Sequence, residues 1–195
     1  MAEPARHFCT TIDMPVSPFT LCSNGSCKGC DEASRDSLKW ALEDFGDLAG
    51  RAATLTADEF NEHLSRLLAM VGFTNYSPFM KAFFFGTVLG VFIQTGTLPV
   101  LSNDRLFRII DGFVYNMAIY LTTIYDGPDL SARSRTSILL DLLIEMFDGM
   151  SESRPAALSH YRDDLIDVFR QFRGHGVETT QRADLSRLIA ATRLL

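Results

Sequence analysis

The run AFFFGTVLGVFI, residues 82–93, is apolar from end to end. An uncharged run of that length is poorly accommodated at a water-facing surface, so it has to be enclosed. Crossing a bilayer takes about 20 apolar residues, and Lys81 and Gln94 close this run well short of that. It is therefore read as a buried helix, covered on nearly every side. Burying it demands neighbours that each offer one apolar face.

The flanking sequence supplies them, with apolar residues recurring at three- and four-residue spacing. A first helix is expected over about 34–53, with Leu38, Ala41, Leu42, Phe45, Leu48, Ala49 and Ala52 on one face. A second starts at Thr56, where Glu59 can close a capping box; Phe60, Leu64, Leu67, Leu68 and Val71 face inward and Gly72 stops it. Ser77 as cap and Pro78 at the first helical position open the third, which holds the apolar run and ends near Gln94. GTLP at 96–99 breaks the chain, and a fourth helix follows from Ser102 or Asn103 to about Tyr125. A fifth covers about 132–147, a sixth runs from Pro155 to Gly174, and a seventh begins near Gln181. Residues 1–33 are interrupted by Pro4, Pro15, Pro18, Gly25 and Gly29 and read as an irregular arm. No strand alternation stands out. The expected architecture is all-α: a Cys-containing arm, 1–33, and a helical domain, 34–195, folded as a globular bundle around a buried central hairpin.

Charge and motif content narrow the function. The formal net charge of -6 leaves no basic footprint for nucleic acid. G-x-S-x-G, a phosphate-cradling loop before Lys, and H-E-x-x-H are all missing, and His7, His63, His160 and His175 are scattered. A non-enzymatic role is the expectation. The opening residues contain no apolar signal region, which points to the cytoplasm. There, cysteines are expected as thiols or metal ligands. Cys22, Cys27 and Cys30 form C-x4-C-x2-C, with Cys9 and His7 upstream. Thiolates and imidazole suit zinc, so one structural zinc that fixes the arm stands as one reading and incidental thiols as the other. GTVLG, 86–90, is a G-x-x-x-G; in a buried helix of a globular protein it reads as the close approach of a neighbouring helix.

Order and pattern then converge. LEDFGD places Leu42, Gly46 and Asp47 as Leu-x-x-x-Gly-Asp on the first helix. Leu55-Thr56, Asn75-Tyr76-Ser77, Ala82-Phe83-Phe84 with Gly86, and LFRIIDGFVYNMAIYL at 106–121 follow in turn. This succession, over residues 38–125, resembles the B-cell lymphoma 2 family of apoptosis regulators, in a divergent and viral-like form. The resemblance implies a hydrophobic groove that takes up the amphipathic helix of a pro-death or signalling protein. By position its walls would come from Phe45, Phe60, Leu64, Leu67, Met70, Val71, Asn75, Tyr76, Phe79, Met80 and Lys81. Simple core packing is the competing account of each apolar member. Pro78 stands where the family carries an Arg that pairs with the ligand's Asp, and Lys81, nearly a turn later, is the substitute cation. Gly46 would then be buried against a neighbouring helix, with Asp47 at an edge near solvent.

Two other functions stay open: a viral protein of the same fold that blocks host innate signalling, and a zinc-stabilised, matrix-like helical oligomer. The family would add peripheral association with mitochondria. No membrane span and no nucleic-acid partner are expected, and a homodimer is left open.

Overall fold

The computed structural model describes residues 7–9, 14–16, 28–72, 76–123, 130–175 and 179–195. For 7–9, 14–16, 28–35, 37–38, 70–72, 130–134 and 179–180 it describes the backbone alone. These residues are mostly helical, and the chain divides into two compact units, Met1–Ser77 and Pro78–Leu195. The boundary falls inside the stretch expected to be one helical domain.

In the first unit, strands β1 (His7–Cys9) and β2 (Met14–Val16) pair antiparallel, with Phe8 opposite Pro15. The arm expected to be irregular thus holds a short sheet. Pro15 is tolerated because a two-stranded sheet has only edge strands. Helix α1 spans Lys28–Gly50, starting six residues before the expected Ser34. Gly29 sits in its first turn, where a glycine interrupts little. A 3-10 turn, Ala52–Thr54, leads to α2, Ala57–Gly72. The capping box forms as expected. Glu59 Oε2 accepts from the Thr56 backbone N–H at 3.0 Å and from the Thr56 hydroxyl at 2.8 Å, and the Glu59 N–H donates back to Thr56 Oγ1 at 3.3 Å. Those bonds hold the Glu59 carboxyl below its usual range. Phe45, Leu48, Phe60, Leu64 and Leu67 are buried. His63 Nε2 lies 3.2 Å from Asp44 Oδ2, joining α2 to α1.

The second unit begins with α3, Pro78–Gln94. Its Phe84, Val88, Leu89 and Phe92 have no exposed surface, as expected for the apolar run, whereas Phe83 is only half-buried. A Schellman turn ends the helix: Thr97 N–H donates to Phe92 O, Gly96 N–H donates to Ile93 O, and Gly96 takes φ +67. After a 3-10 turn, Leu98–Val100, comes α4, Asn103–Thr123. Then follow α5 (Leu130–Ser153), α6 (Pro155–His160), α7 (Arg162–Gly174) and α8 (Thr179–Thr192). The expected sixth helix is therefore two, parted at Tyr161.

Helix α4 runs antiparallel to α3. Phe79 meets Tyr120 near one end, and Phe85 and Gly86 meet Gly112 and Phe113 at mid-length. Helix α5 runs parallel to α3 on another side, with Leu142 against Gly86, Glu145 against Gly90 and Ile93 against Gly149. Gly86 of the G-x-x-x-G takes the close approach of Phe113 and Leu142, as read from the sequence, whereas Gly90 meets only the Glu145 carboxylate, at 3.3 Å. Helices α7 and α8 pack on each other, α7 against α4 and α8 against α5. Arg154, between α5 and α6, donates to the carbonyls of Leu98, Pro99 and Leu101 and to Asn103 Oδ1 at 3.2–3.4 Å. It thereby ties the α3–α4 connection to the end of α5. Among the described residues no helix is long and apolar enough to cross a membrane.

Candidate functional site

The expected groove residues fall in both units. In the first, Phe45 on α1 and Phe60, Leu64 and Leu67 on α2 are at most 2% exposed. They form the inward stripe that the spacing requires, and in this arrangement they offer a docking helix no surface. Tyr76 is also buried. Asn75 and the side chains of Met70 and Val71 lie outside the described residues.

The Leu-x-x-x-Gly-Asp segment corrects one expectation. Leu42 is half-buried and Asp47 exposed, but Gly46 is exposed too, and a Cβ built on it would meet nothing within 4 Å. The α1 stripe turns Phe45 and Leu48 inward, which carries Gly46 and Asp47 to the water side. Among the described residues no helix approaches closely at Gly46.

Of the zinc ligands considered, Cys22 and Cys27 lie outside the described residues, as do the side chains of His7, Cys9 and Cys30. The backbone places Cys9 on β1 and Cys30 in the first turn of α1. Among the described residues no group of three or more His, Cys, Asp or Glu could hold a metal ion.

In the second unit, of the predicted groove residues among those described, only Phe79 joins a cluster of rings. Phe79, Met80 and Lys81 occupy the first turn of α3 and are half-buried. Phe79 stacks on Phe83 with ring centroids 6.1 Å apart and tilts against Tyr120 at 5.4 Å. The guanidinium of Arg135, on α5, lies over the Phe79 ring at 5.4 Å from its centroid. Such a contact contributes about 0.5–1 kcal/mol when exposed, and Arg135 is exposed. The result is an aromatic surface carrying one cation, Arg135 of α5; Lys81, two residues after Phe79, is not on the same face of α3. Chemically it suits an apolar side chain followed by a carboxylate. Pro78 makes this possible locally, because its fixed φ starts the helix directly ahead of Phe79.

Arg135 was not among the residues the sequence singled out. It lies 57 positions after Pro78, and only the parallel packing of α5 on α3 brings it to the first turn. No motif spacing announces such a placement.

A second polar cluster joins α4 to the α6–α7 junction. The buried Tyr161 donates its hydroxyl proton chiefly to Asp111 Oδ1 at 2.7 Å, with Phe107 O a longer, secondary acceptor at 3.2 Å. Burial first, then the Asp111 carboxylate, pushes the Tyr161 phenol well above its usual range. His160 packs its ring on Phe107 at 5.1 Å.

No protein-family model, curated protein or solved structure matches the chain.

Proposed function

We propose that this chain is a non-catalytic interaction protein that captures amphipathic helices, acting as an apoptosis regulator in the manner of the B-cell lymphoma 2 family. The observation that carries the reading is the helical hairpin of the second unit. Residues 82–93 form an enclosed helix, and 106–121 lie antiparallel beside it. This is the arrangement the sequence resemblance calls for, with an all-round apolar helix enclosed by its neighbours. The aromatic cluster at the first turn of α3 supports it further. Phe79 offers apolar contact, while Arg135 beside it takes the place of the Arg displaced by Pro78. A ligand helix would seat its apolar residues at i, i+3/4 and i+7 and its acidic residue against this cation.

Calorimetry against a panel of death-motif peptides tests the reading. One or a few binders are expected, at tens of micromolar or tighter, equivalent to about -6 kcal/mol or better. Arg135→Ala should weaken the binder several-fold. Failure of every peptide sinks the death-regulator assignment.

One observation favours a second reading. The burial of Phe45, Phe60, Leu64 and Leu67 means that these four residues form no open wall. A protein of this fold that blocks host signalling through its helix surfaces needs no such wall. It would bind none of the death-motif peptides and would co-purify with a signalling adaptor.

A further inference from the structure

Tyr115 stands in the middle of α4 with 67% of its surface exposed. It does not stand alone. Asp104, Arg108, Asp111 and Tyr115 follow one another at spacings of four, three and four, and all four are exposed. That is the spacing of the contact positions along a helix that pairs with another. The opposite face of α4, with Leu106, Ile109, Ile110, Phe113 and Met117, is buried. The ridge is therefore the outward face of a helix whose inward face is already used.

The order of the side chains on this ridge is its own complement. Take a second copy of α4 running antiparallel, with a two-fold axis crossing at the level of Ile109 and Ile110. Arg108 then lies opposite Asp111 of the second copy, and Asp104 lies opposite Tyr115. Each contact occurs twice, once on either side of the axis, as a two-fold interface requires. Antiparallel pairing also sets each position after a four-residue step against one after a three-residue step, which is the match found here.

The state of these side chains agrees. Asp104 and Arg108 sit at i and i+4, where a helix commonly closes an ion pair. Yet the side chains of Asp104, Arg108 and Tyr115 make no hydrogen bond or ion pair among the described residues. Asp111 is held in place from behind, because its Oδ1 accepts the Tyr161 hydroxyl at 2.7 Å. A carboxylate already held in place loses little entropy on pairing, and among the described residues Arg108 and Tyr115 hold no partner that would have to be released. Tyr and Arg are also the side chains that concentrate binding energy at interfaces.

We propose that the exposed ridge Asp104–Arg108–Asp111–Tyr115 of α4 is the interface of a homodimer, pairing Arg108 with Asp111 and Asp104 with Tyr115 of a second copy. A single helix face buries less than the roughly 1,200 Å² of a stable complex. The dimer is therefore reversible, with a dissociation constant in the micromolar range.

Sedimentation equilibrium of the full chain, from about 1 to about 500 μM, reads this directly. A monomer–dimer equilibrium that weakens at high salt is expected. Arg108→Asp sets a carboxylate against Asp111 at two symmetric places and should raise the dissociation constant about tenfold or more. Tyr115→Arg sets a guanidinium against Asp104 and should lower it. Arg108 and Tyr115 are exposed, so both variants should keep the helical circular dichroism and melting temperature of the parent chain. A monomer across the whole range overturns the proposal. So does a dimer whose dissociation constant neither substitution moves.

Discussion

Phe113 and Gly86 occupy each other's space: an edge carbon of the Phe113 ring lies 2.7 Å from where a Cβ on Gly86 would stand. One residue earlier on α3 the roles reverse, and the Phe85 ring lies 2.6–2.7 Å from the Cβ position of Gly112. Each helix gives the other a ring and receives one over a glycine. The first prediction follows from this exchange. Gly86→Ala and Gly112→Ala should each destabilise the chain by about 1–3 kcal/mol, the usual range for overpacking. Alanine also gains about 1 kcal/mol of helix propensity over glycine, so the measured loss understates the cost of the hairpin contact by about that much. Denaturant titration measures it, and a neutral result at both sites would mean the rings move aside freely.

Gly46 is the contrasting case. It lies inside α1, is exposed, and has open space around its Cβ position. Nothing there rewards a glycine, while the helix loses by it. Gly46→Ala should stabilise the chain by about 0.5–1 kcal/mol. A loss of stability instead would point to a close neighbour at that position.

The apolar run predicts a graded series. Phe84 and Phe92 are fully buried, and alanine at either should cost about 3–5 kcal/mol. Phe83 sits half-buried beneath Phe79, so Phe83→Ala should cost clearly less. Thermal melts of the three variants rank them. An equal loss at all three would remove the distinction between the enclosed and the outward face of α3.

The sequence made the helices legible wherever one local signal decided them. Thr56 with Glu59 marked the start of α2, and Pro78 the start of α3. The burial of Phe84, Leu89 and Phe92 followed from hydrophobicity alone. What stayed hidden depends on elements far apart in the chain. Arg135 reaches Phe79, and Arg154 reaches the carbonyls of the α3–α4 connection, only because α5 lies along α3. The β1–β2 pair was missed because three-residue strands are too short to show alternation, and Pro15 argued against one. Gly46 misled for another reason. A motif resemblance assigned it a close contact, while the stripe of Phe45 and Leu48 already turned it towards water.

Tyr161 carries the last prediction. Its hydroxyl is held between Asp111 and the Phe107 carbonyl, and burial together with the nearby carboxylate raises its pKa above the usual value near 10. A phenol whose folded pKa is raised gives stability that is fully present below the unfolded value. As pH climbs past about 10 the unfolded chain releases that proton while the folded chain keeps it. Stability should then fall by up to about 1.4 kcal/mol per pH unit, until the folded pKa is reached. Tyr161→Phe removes the titrating group. At neutral pH it should cost about 0.5–1.5 kcal/mol, because Asp111 is exposed and regains water in place of the lost bond. Between pH 9.5 and 11 the variant should lose less than the parent chain, and the gap between them should narrow. Melting temperatures of the two proteins across that interval measure the difference. Parallel curves would mean that the phenol titrates alike in the folded and unfolded chain. In that case the Asp111 contact would not fix the carboxylate on the α4 ridge.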